Sequence, residues 1–248
     1  MFEEYYKKYL GFREENLQEG LSVFSSEYRD KLFSFTYKNP IIATRMRERI
    51  IFSVAPKYFG DFCKYSENFN QLDFKNLDFQ KKIDDFFAVN YSSYFTIDRY
   101  YRMTVDKDSL STINNLEIVR LLRLSDKEIY LEKHRNRGEI FKNNRWKIYK
   151  PLIEEGRIFI IEENHRIVSY ALITDIDFNG ANIAVSTNPD YRNKGYGKRV
   201  VYKATEWCLE HGLIPIYWVT TDNLPSVKLA SNLGFEKKAR EIAVSIRI

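Results

Sequence analysis

The stretch Pro189-Asp190-Tyr191-Arg192-Asn193-Lys194-Gly195-Tyr196-Gly197-Lys198 decides how this chain is read, because of what lies on either side of it. Before it, Ala181 to Thr187 reads as a strand bounded by Asn179-Gly180 and Asn188-Pro189. After it, apolar residues at 200, 201, 204, 207 and 208 mark a helix from Gly197 to His211, stopped by Gly212 where a left-handed residue is wanted. Consecutive amides at a helix N-terminus carry the positive end of the helix dipole and can surround a phosphate if no Cβ blocks the approach. Gly195 and Gly197 are read as removing those Cβ atoms, while Arg192, Lys194 and Lys198 add positive charge, so the expected ligand is a pyrophosphate. Two other phosphate loops are excluded by spacing. A P-loop requires Ser or Thr after Gly-Lys, where this chain has Arg199, and a dinucleotide fingerprint requires a small residue at Val200.

Working outward, the elements of the second half alternate. Glu117 to Arg123 reads as a strand leading into Ser125-Asp126-Lys127-Glu128, a capping box with Ser125 as the cap and Glu128 reaching back, and then one helix. Arg157 to Glu162 and Ile167 to Asp175 form a hairpin across Glu163-Asn164-His165. Ile214 to Val219 is a strand, Asn223 to Leu233 a helix with Pro225 in its first turn and Gly234 at its end, and Ile242 to Ile248 a last strand. The expected order is β-α-β-β-β-α-β-α-β.

These residues resemble the GNAT superfamily of acyl-CoA-dependent N-acyltransferases. Arg192-x-x-Gly195-x-Gly197 is similar to its pyrophosphate loop, and Asn223-x-x-Ser226-x-x-Leu229 followed by Gly234-Phe235 is similar to its second motif. The resemblance spans about residues 116 to 248, and some GNAT-like bacterial proteins carry a comparable N-terminal extension. It implies an α+β fold with a mixed, largely antiparallel central sheet flanked by helices, here with an α+β N-terminal unit. It also implies acetyl-CoA as acyl donor. Val185, Ser186 and Thr187 would pair with the pantetheine arm through their main chain. Arg192, Asn193, Lys194, Gly195, Tyr196, Gly197 and Lys198 would hold the pyrophosphate, and Asn223 and Ser226 would approach from the second helix. The strands matching Ala181 to Thr187 and Ile214 to Val219 would splay apart, with the thioester in the opening.

The chain departs from the family at the chemistry. The usual Tyr seven residues after the motif Asn is Ala230, and the acidic positions of the two splayed strands are Ala184 and Trp218. The catalytic group is therefore unknown, with Asp175, Asp177 and Asp222 as candidates that also read as solvated or capping carboxylates. His211 is excluded by distance, since fourteen helical residues from Gly197 span about 21 Å. His134 and His165 read as surface residues in a helix and a turn.

The first half, residues 1–112, reads as an accessory α+β unit, and 113–248 as the acetyltransferase domain. It holds 25 of the 36 Phe and Tyr residues, whose amphipathic spacing assigns them to a core. Helices are expected over Glu3 to Gln18 and Leu77 to Val89, and strands over Ile50 to Val54 and Tyr94 to Val105. Its charges balance at 17 basic and 17 acidic, so the net +5 comes wholly from the second half, where 22 basic face 17 acidic residues. No basic block interleaved with aromatics is present, which argues against nucleic acid and suits a small phosphorylated ligand. Cys63 and Cys208 match no metal or redox spacing and are expected as buried thiols, with no metal site. With no signal-like start and no apolar run near ~20 residues, a soluble cytoplasmic protein without membrane association is expected. The function expected is N-acetyl transfer from acetyl-CoA directly to a small-molecule or peptide amine. Two alternatives stand beside it: a non-catalytic CoA-binding regulatory module and, third, a nucleic-acid-binding protein.

Overall fold

The computed structural model describes residues 1–33, 37–46, 49–67, 69, 78–90, 95–132 and 136–247, without the side chains of 78–80 and 89–90. His134, Ile248 and the expected element ends Leu77 and Tyr94 lie outside the described residues. The chain divides into two compact units: Met1–Arg102 with Val219–Asp222 and Lys237–Ile248, and Met103–Trp218 with Asn223–Glu236.

The first unit contains α1 (Phe2–Leu10), β1 (Leu21–Ser25), β2 (Tyr37–Met46), β3 (Arg49–Val54), α2 (Pro56–Ser66), α3 (Asp78–Asn90) and β4 (Phe95–Thr104), which runs two residues past its edge. The expected helix to Gln18 ends instead at Leu10, because Gly11 turns left-handed at φ 76° and its amide closes onto Lys7 and Lys8 carbonyls. The strands lie in the order β1-β3-β2, then the last strand of the chain, then β4. That last strand pairs antiparallel with β2, Ala243 opposite Ile42, and β1 runs parallel to β3. Ile41, Ala43, Phe52 and Val54 pack with Phe62 of α2, Phe86 and Phe87 of α3, and Ile242 and Val244, so these aromatics are core as their spacing implies. Elsewhere in the unit sits a fully buried ion pair. Arg102 donates to Glu241 at 2.7 and 3.1 Å and to the Tyr5 hydroxyl at 2.8 Å, with its guanidinium 3.9 Å from the Tyr9 ring centre.

The second unit contains β5 (Arg120–Leu121), α4 (Lys127–Glu132), α5 (Glu139–Glu154), β6 (Ile158–Glu163), β7 (Arg166–Asp177), β8 (Gly180–Thr187), α6 (Tyr196–Glu210), β9 (Ile214–Thr220, its last two residues grouped with the first unit) and α7 (Leu224–Ser231). The last strand, β10 (Glu236–Arg247), begins here and starts six residues before the expected Ile242. The strand order is β5-β6-β7-β8-β9, antiparallel throughout except for the parallel pair β8–β9. Both hairpin turns use consecutive left-handed residues, Asn164 and His165 (φ 50° and 57°) and Phe178 and Asn179 (φ 52° and 68°), the twist that tight hairpins require. One face of β6 and β7 is covered by α4 and α5 through Tyr130, Trp146, Leu152 and Ile153. Helix α6 crosses β6, β7 and β8 and buries Val200, Val201, Ala204 and Cys208 completely. Each valine contributes about 1.5–3 kcal/mol by leaving water.

Three local expectations need correction. The strand over Glu117 to Arg123 is only the pair Arg120–Leu121, because Asn115 turns left-handed and the Val119 amide closes a turn onto Leu116. The cap is not Ser125 with Glu128: the Asp126 carboxylate accepts the Arg123 amide at 2.8 Å and also holds Arg120 at 2.6 Å. Two helices, α4 and α5, stand where one was expected. Gly234 is demanded by its surroundings, since at φ 93° an added Cβ would lie 2.0 Å from the Ser109 carbonyl oxygen.

Removing one partner of a buried ion pair leaves a desolvated charge, so Glu241→Ala is expected to lower stability by about 3–5 kcal/mol. Urea unfolding checks this, with the pair replacement Arg102→Met/Glu241→Leu keeping most of the stability; a loss under about 1 kcal/mol from Glu241→Ala would contradict it.

Candidate active site

Strand β8 is held on one side by β7 along its length, from Gly180 opposite Asp177 to Thr187 opposite Ser169. On the other side it pairs with β9 only at Gly180–Ile214, Ala181–Pro215 and Asn182–Ile216. Beyond that point the two strands diverge, and Ile183 to Thr187 have no strand on that edge among the described residues. Such an edge presents main-chain N–H and C=O groups that water or a ligand must satisfy. The expected residues Val185, Ser186 and Thr187 are on it. Their side chains are partly committed: the Thr187 hydroxyl bonds Ser169 at 2.8 Å, and Tyr170 hydrogen-bonds Ser186. What this strip offers is mainly its backbone.

After Thr187, Asn188 accepts the Asp190 amide at 3.2 Å, capping the short 3-10 turn Pro189–Tyr191. Asn193 (φ 63°) and Gly195 (φ 77°) are left-handed, and α6 begins at Tyr196. The first helical amide bond is donated by Arg199 to Gly195, so the amides of Tyr196, Gly197 and Lys198 have no carbonyl within the helix. Arg192 is exposed and Lys198 half-buried, and neither has an ion-pair partner among the described residues. The Lys194 ammonium stands 4.7 Å from the Tyr191 ring centre. Tyr196 donates its hydroxyl proton to Glu163, and this bond raises the phenol's pKa.

The two glycines do different work from that read in the sequence. A Cβ on Gly197 would point inward, 3.0 Å from Leu229 and 3.1 Å from the Thr187 hydroxyl, so this glycine lets α6 press against β8 and α7. Gly195 is needed for its left-handed φ, and a Cβ there would meet Arg199 Nη1 at 3.0 Å. Arg199 itself was not singled out by the sequence; its Nη1 donates to the Lys194 carbonyl at 2.9 Å and ties down the loop.

At α7, Asn223 accepts the Ser226 amide at 3.3 Å and so caps the helix. The Ser226 hydroxyl lies 2.7 Å from the hydroxyl of Tyr217, a β9 residue that the sequence reading passed over. Tyr217 is buried, which raises its pKa and keeps it protonated near neutral pH. It sits in a continuous apolar run, buried from Ile214 to Tyr217, and no motif marked it. Ala184 is exposed, Trp218 half-buried and Ala230 fully buried. Asp175 and Asp177 sit at the end of β7, and Asp222 groups with the first unit.

Residues 118–235 match the model of the acetyltransferase (GNAT) family. They form a GNAT-family domain. Acyl transfer is the general chemistry of that family. An uncharacterised N-acetyltransferase of Methanocaldococcus jannaschii is 29% identical over 169 residues, covering 63% of this chain and 70% of that protein. Among solved structures, a GNAT-family acetyltransferase from Colwellia psychrerythraea aligns over 79% of this chain and 76% of its own, with TM-score 0.52 and 14% identity. A GCN5-related N-acetyltransferase from Sphaerobacter thermophilus aligns over 80% and 72%, with TM-score 0.52 and 10% identity. These two likenesses are of fold.

Other chemistry-bearing residues lie apart. His211 ends α6, stacked on Trp207 at 3.8 Å and bonded to its carbonyl, at the opposite helix end from the loop. His165 is exposed in its turn. Burial pushes the Cys208 thiol up to about 12, whereas Cys63 is only half-buried, against the expectation of two buried thiols. A cleft of about 430 Å³ lies wholly within the first unit, lined by Glu19, Ser22, Phe24, Cys63 and Glu67 among others, and holds none of the motif residues. No described helix is long and apolar enough to cross a membrane.

Because Gly197 faces the packed interior, Gly197→Ala is expected to push α6 away from β8 and lower stability by about 1–3 kcal/mol. A thermal melt checks this; an unchanged Tm would show that α6 has room the geometry denies.

Proposed function

We propose that residues 118–235 bind acetyl-CoA and transfer its acetyl group directly to a primary amine. The observation that carries this reading is the open edge of β8, Ile183 to Thr187, continuing into a loop whose helix-start amides and unpaired Arg192 and Lys198 suit a pyrophosphate. Main-chain groups of Val185 to Thr187 bind the amide-containing arm as an added strand would. The loop amides and cations hold the phosphates with charge-assisted hydrogen bonds, each about 1.5–3 kcal/mol. Asn223, with its side-chain oxygen committed to its helix cap, keeps its amide nitrogen for the ligand.

In the transfer, the amine nitrogen attacks the thioester carbonyl, the C–N bond forms, the C–S bond breaks, and the nitrogen loses a proton to solvent. The departing thiolate resembles a cysteine of pKa about 8.5, a tolerable leaving group without a dedicated acid. Ala184, Trp218 and Ala230 leave the family's usual acid and base positions empty, so catalysis here rests on positioning and on an acceptor that arrives as the free amine. That same emptiness favours the second reading, a CoA-binding regulatory module without turnover.

Thiol release from acetyl-CoA across a panel of primary amines separates the two. Acetyl transfer is expected to show amine-dependent release, with kcat/KM rising with pH toward the amine's own pKa. Asp175→Asn, Asp177→Asn or Asp222→Asn is each expected to cost less than the roughly 100-fold loss of a true general base. Gly195→Val should weaken acetyl-CoA binding at least about tenfold through its strained φ. Tight acetyl-CoA binding with no release for any amine would establish the regulatory module instead.

A further inference from the structure

The divergence of β8 from β9 begins immediately after Asn182, and Asn182 is an unusual residue to find there. Asparagine is depleted in strand interiors, where β-branched residues pack better. Ala181 and Ile183 point to the other face of the sheet; Asn182 is half-buried, and its partner on β9, Ile216, is buried and apolar. The Asn182 Oδ1 is itself buried and accepts no hydrogen bond among the described residues. A buried acceptor without a donor costs stability, and sequences retain few of them without a use.

The strand on the other side is distorted at the same level. Ile173 pairs with Ile183 and Ile176 with Ala181, so Thr174 and Asp175 together oppose Asn182 as a bulge. Thr174 Oγ1 donates to the Asn182 main-chain oxygen at 3.4 Å, leaving the side-chain amide outside the local bonding. Bulges of this kind bend a strand and re-aim a side chain.

Position along the fork says what the amide can meet. Thr187, next to the loop, lies five residues from Asn182, roughly 17 Å at ~3.3 Å per residue. An arm anchored by its phosphates at the loop and laid along Ile183 to Thr187 brings its acyl end to the closed end of the fork. We propose that the Asn182 amide there binds the acyl acceptor, its Oδ1 accepting an N–H of the attacking amine. This rests on the acyl-transfer reading above. Asn182 takes no proton; it holds the amine by one hydrogen while the nitrogen lone pair faces the thioester carbonyl, which selects acceptors whose nucleophile carries an N–H.

The test compares the wild-type chain with Asn182→Leu, which removes the polar atoms at similar volume, and Asn182→Asp, which keeps the acceptor oxygen. The probes are spermidine, tyramine and an alanine-terminated peptide. With Asn182→Leu the Tm of the ligand-free protein is expected to rise by a few degrees. Acetyl-CoA affinity by calorimetry stays within twofold, and KM for the amine rises tenfold or more, with partial recovery in Asn182→Asp. A lower Tm in Asn182→Leu overturns the proposal, since Asn182 would then be paired within the fold. An unchanged amine KM in an active variant overturns it equally. A wild-type chain that binds acetyl-CoA but acylates none of the probes defeats the acyl-transfer reading instead, a result visible without any variant.

Discussion

The open edge of the second unit follows from one failure of pairing. β8 and β9 are joined through α6 as parallel neighbours, yet they share a ladder for only three residues, ending at Asn182 and Ile216. One feature marks that point: the Thr174–Asp175 bulge of β7 lies opposite Asn182. A sheet interior that leaves five residues of main chain unpaired carries a cost that packing must offset. Here α6 bears on β6, β7 and β8, with Val200, Val201, Ala204 and Cys208 fully buried and Gly197 allowing the close approach. The same packing fixes the helix start that follows the strip. The open edge and the anion-ready loop are thus consequences of one arrangement.

Local signals carried much of this into the sequence. Gly212 ends α6 in the left-handed region and Asn164 and His165 turn the expected hairpin, because backbone conformation at a turn is decided by a few neighbouring residues. Long-range signals did not. β10 pairs with β2, Ala243 opposite Ile42, and Glu241 buries its charge against Arg102, partners about 140 to 200 positions apart that no window of sequence connects. The helix that stops at Leu10 shows the complementary limit, since amphipathic spacing continues past a glycine that ends the structure.

The site was legible to a similar degree. The loop could be located from spacing, but that Gly197 faces inward depends on Leu229 and Thr187, which only the fold brings beside it. Tyr217, Arg199 and Asn182 carried no motif at all; each acquires its role from what lies across from it, a serine hydroxyl, a loop carbonyl and a bulged strand. In the proposed reading, with Ala184, Trp218 and Ala230 at positions where the resemblance implies acidic and phenolic groups, catalysis rests on placing two reactants at the closed end of the fork.

The central claim is that the open edge of β8 receives the acyl donor. Backbone amide hydrogen exchange, measured on the full chain with and without saturating acetyl-CoA, tests it most directly. The account predicts slowed exchange confined chiefly to Ile183–Thr187 and Gly195–Lys198, the strip and the helix start together. Binding of acetyl-CoA that leaves both segments exchanging at their ligand-free rates would contradict it.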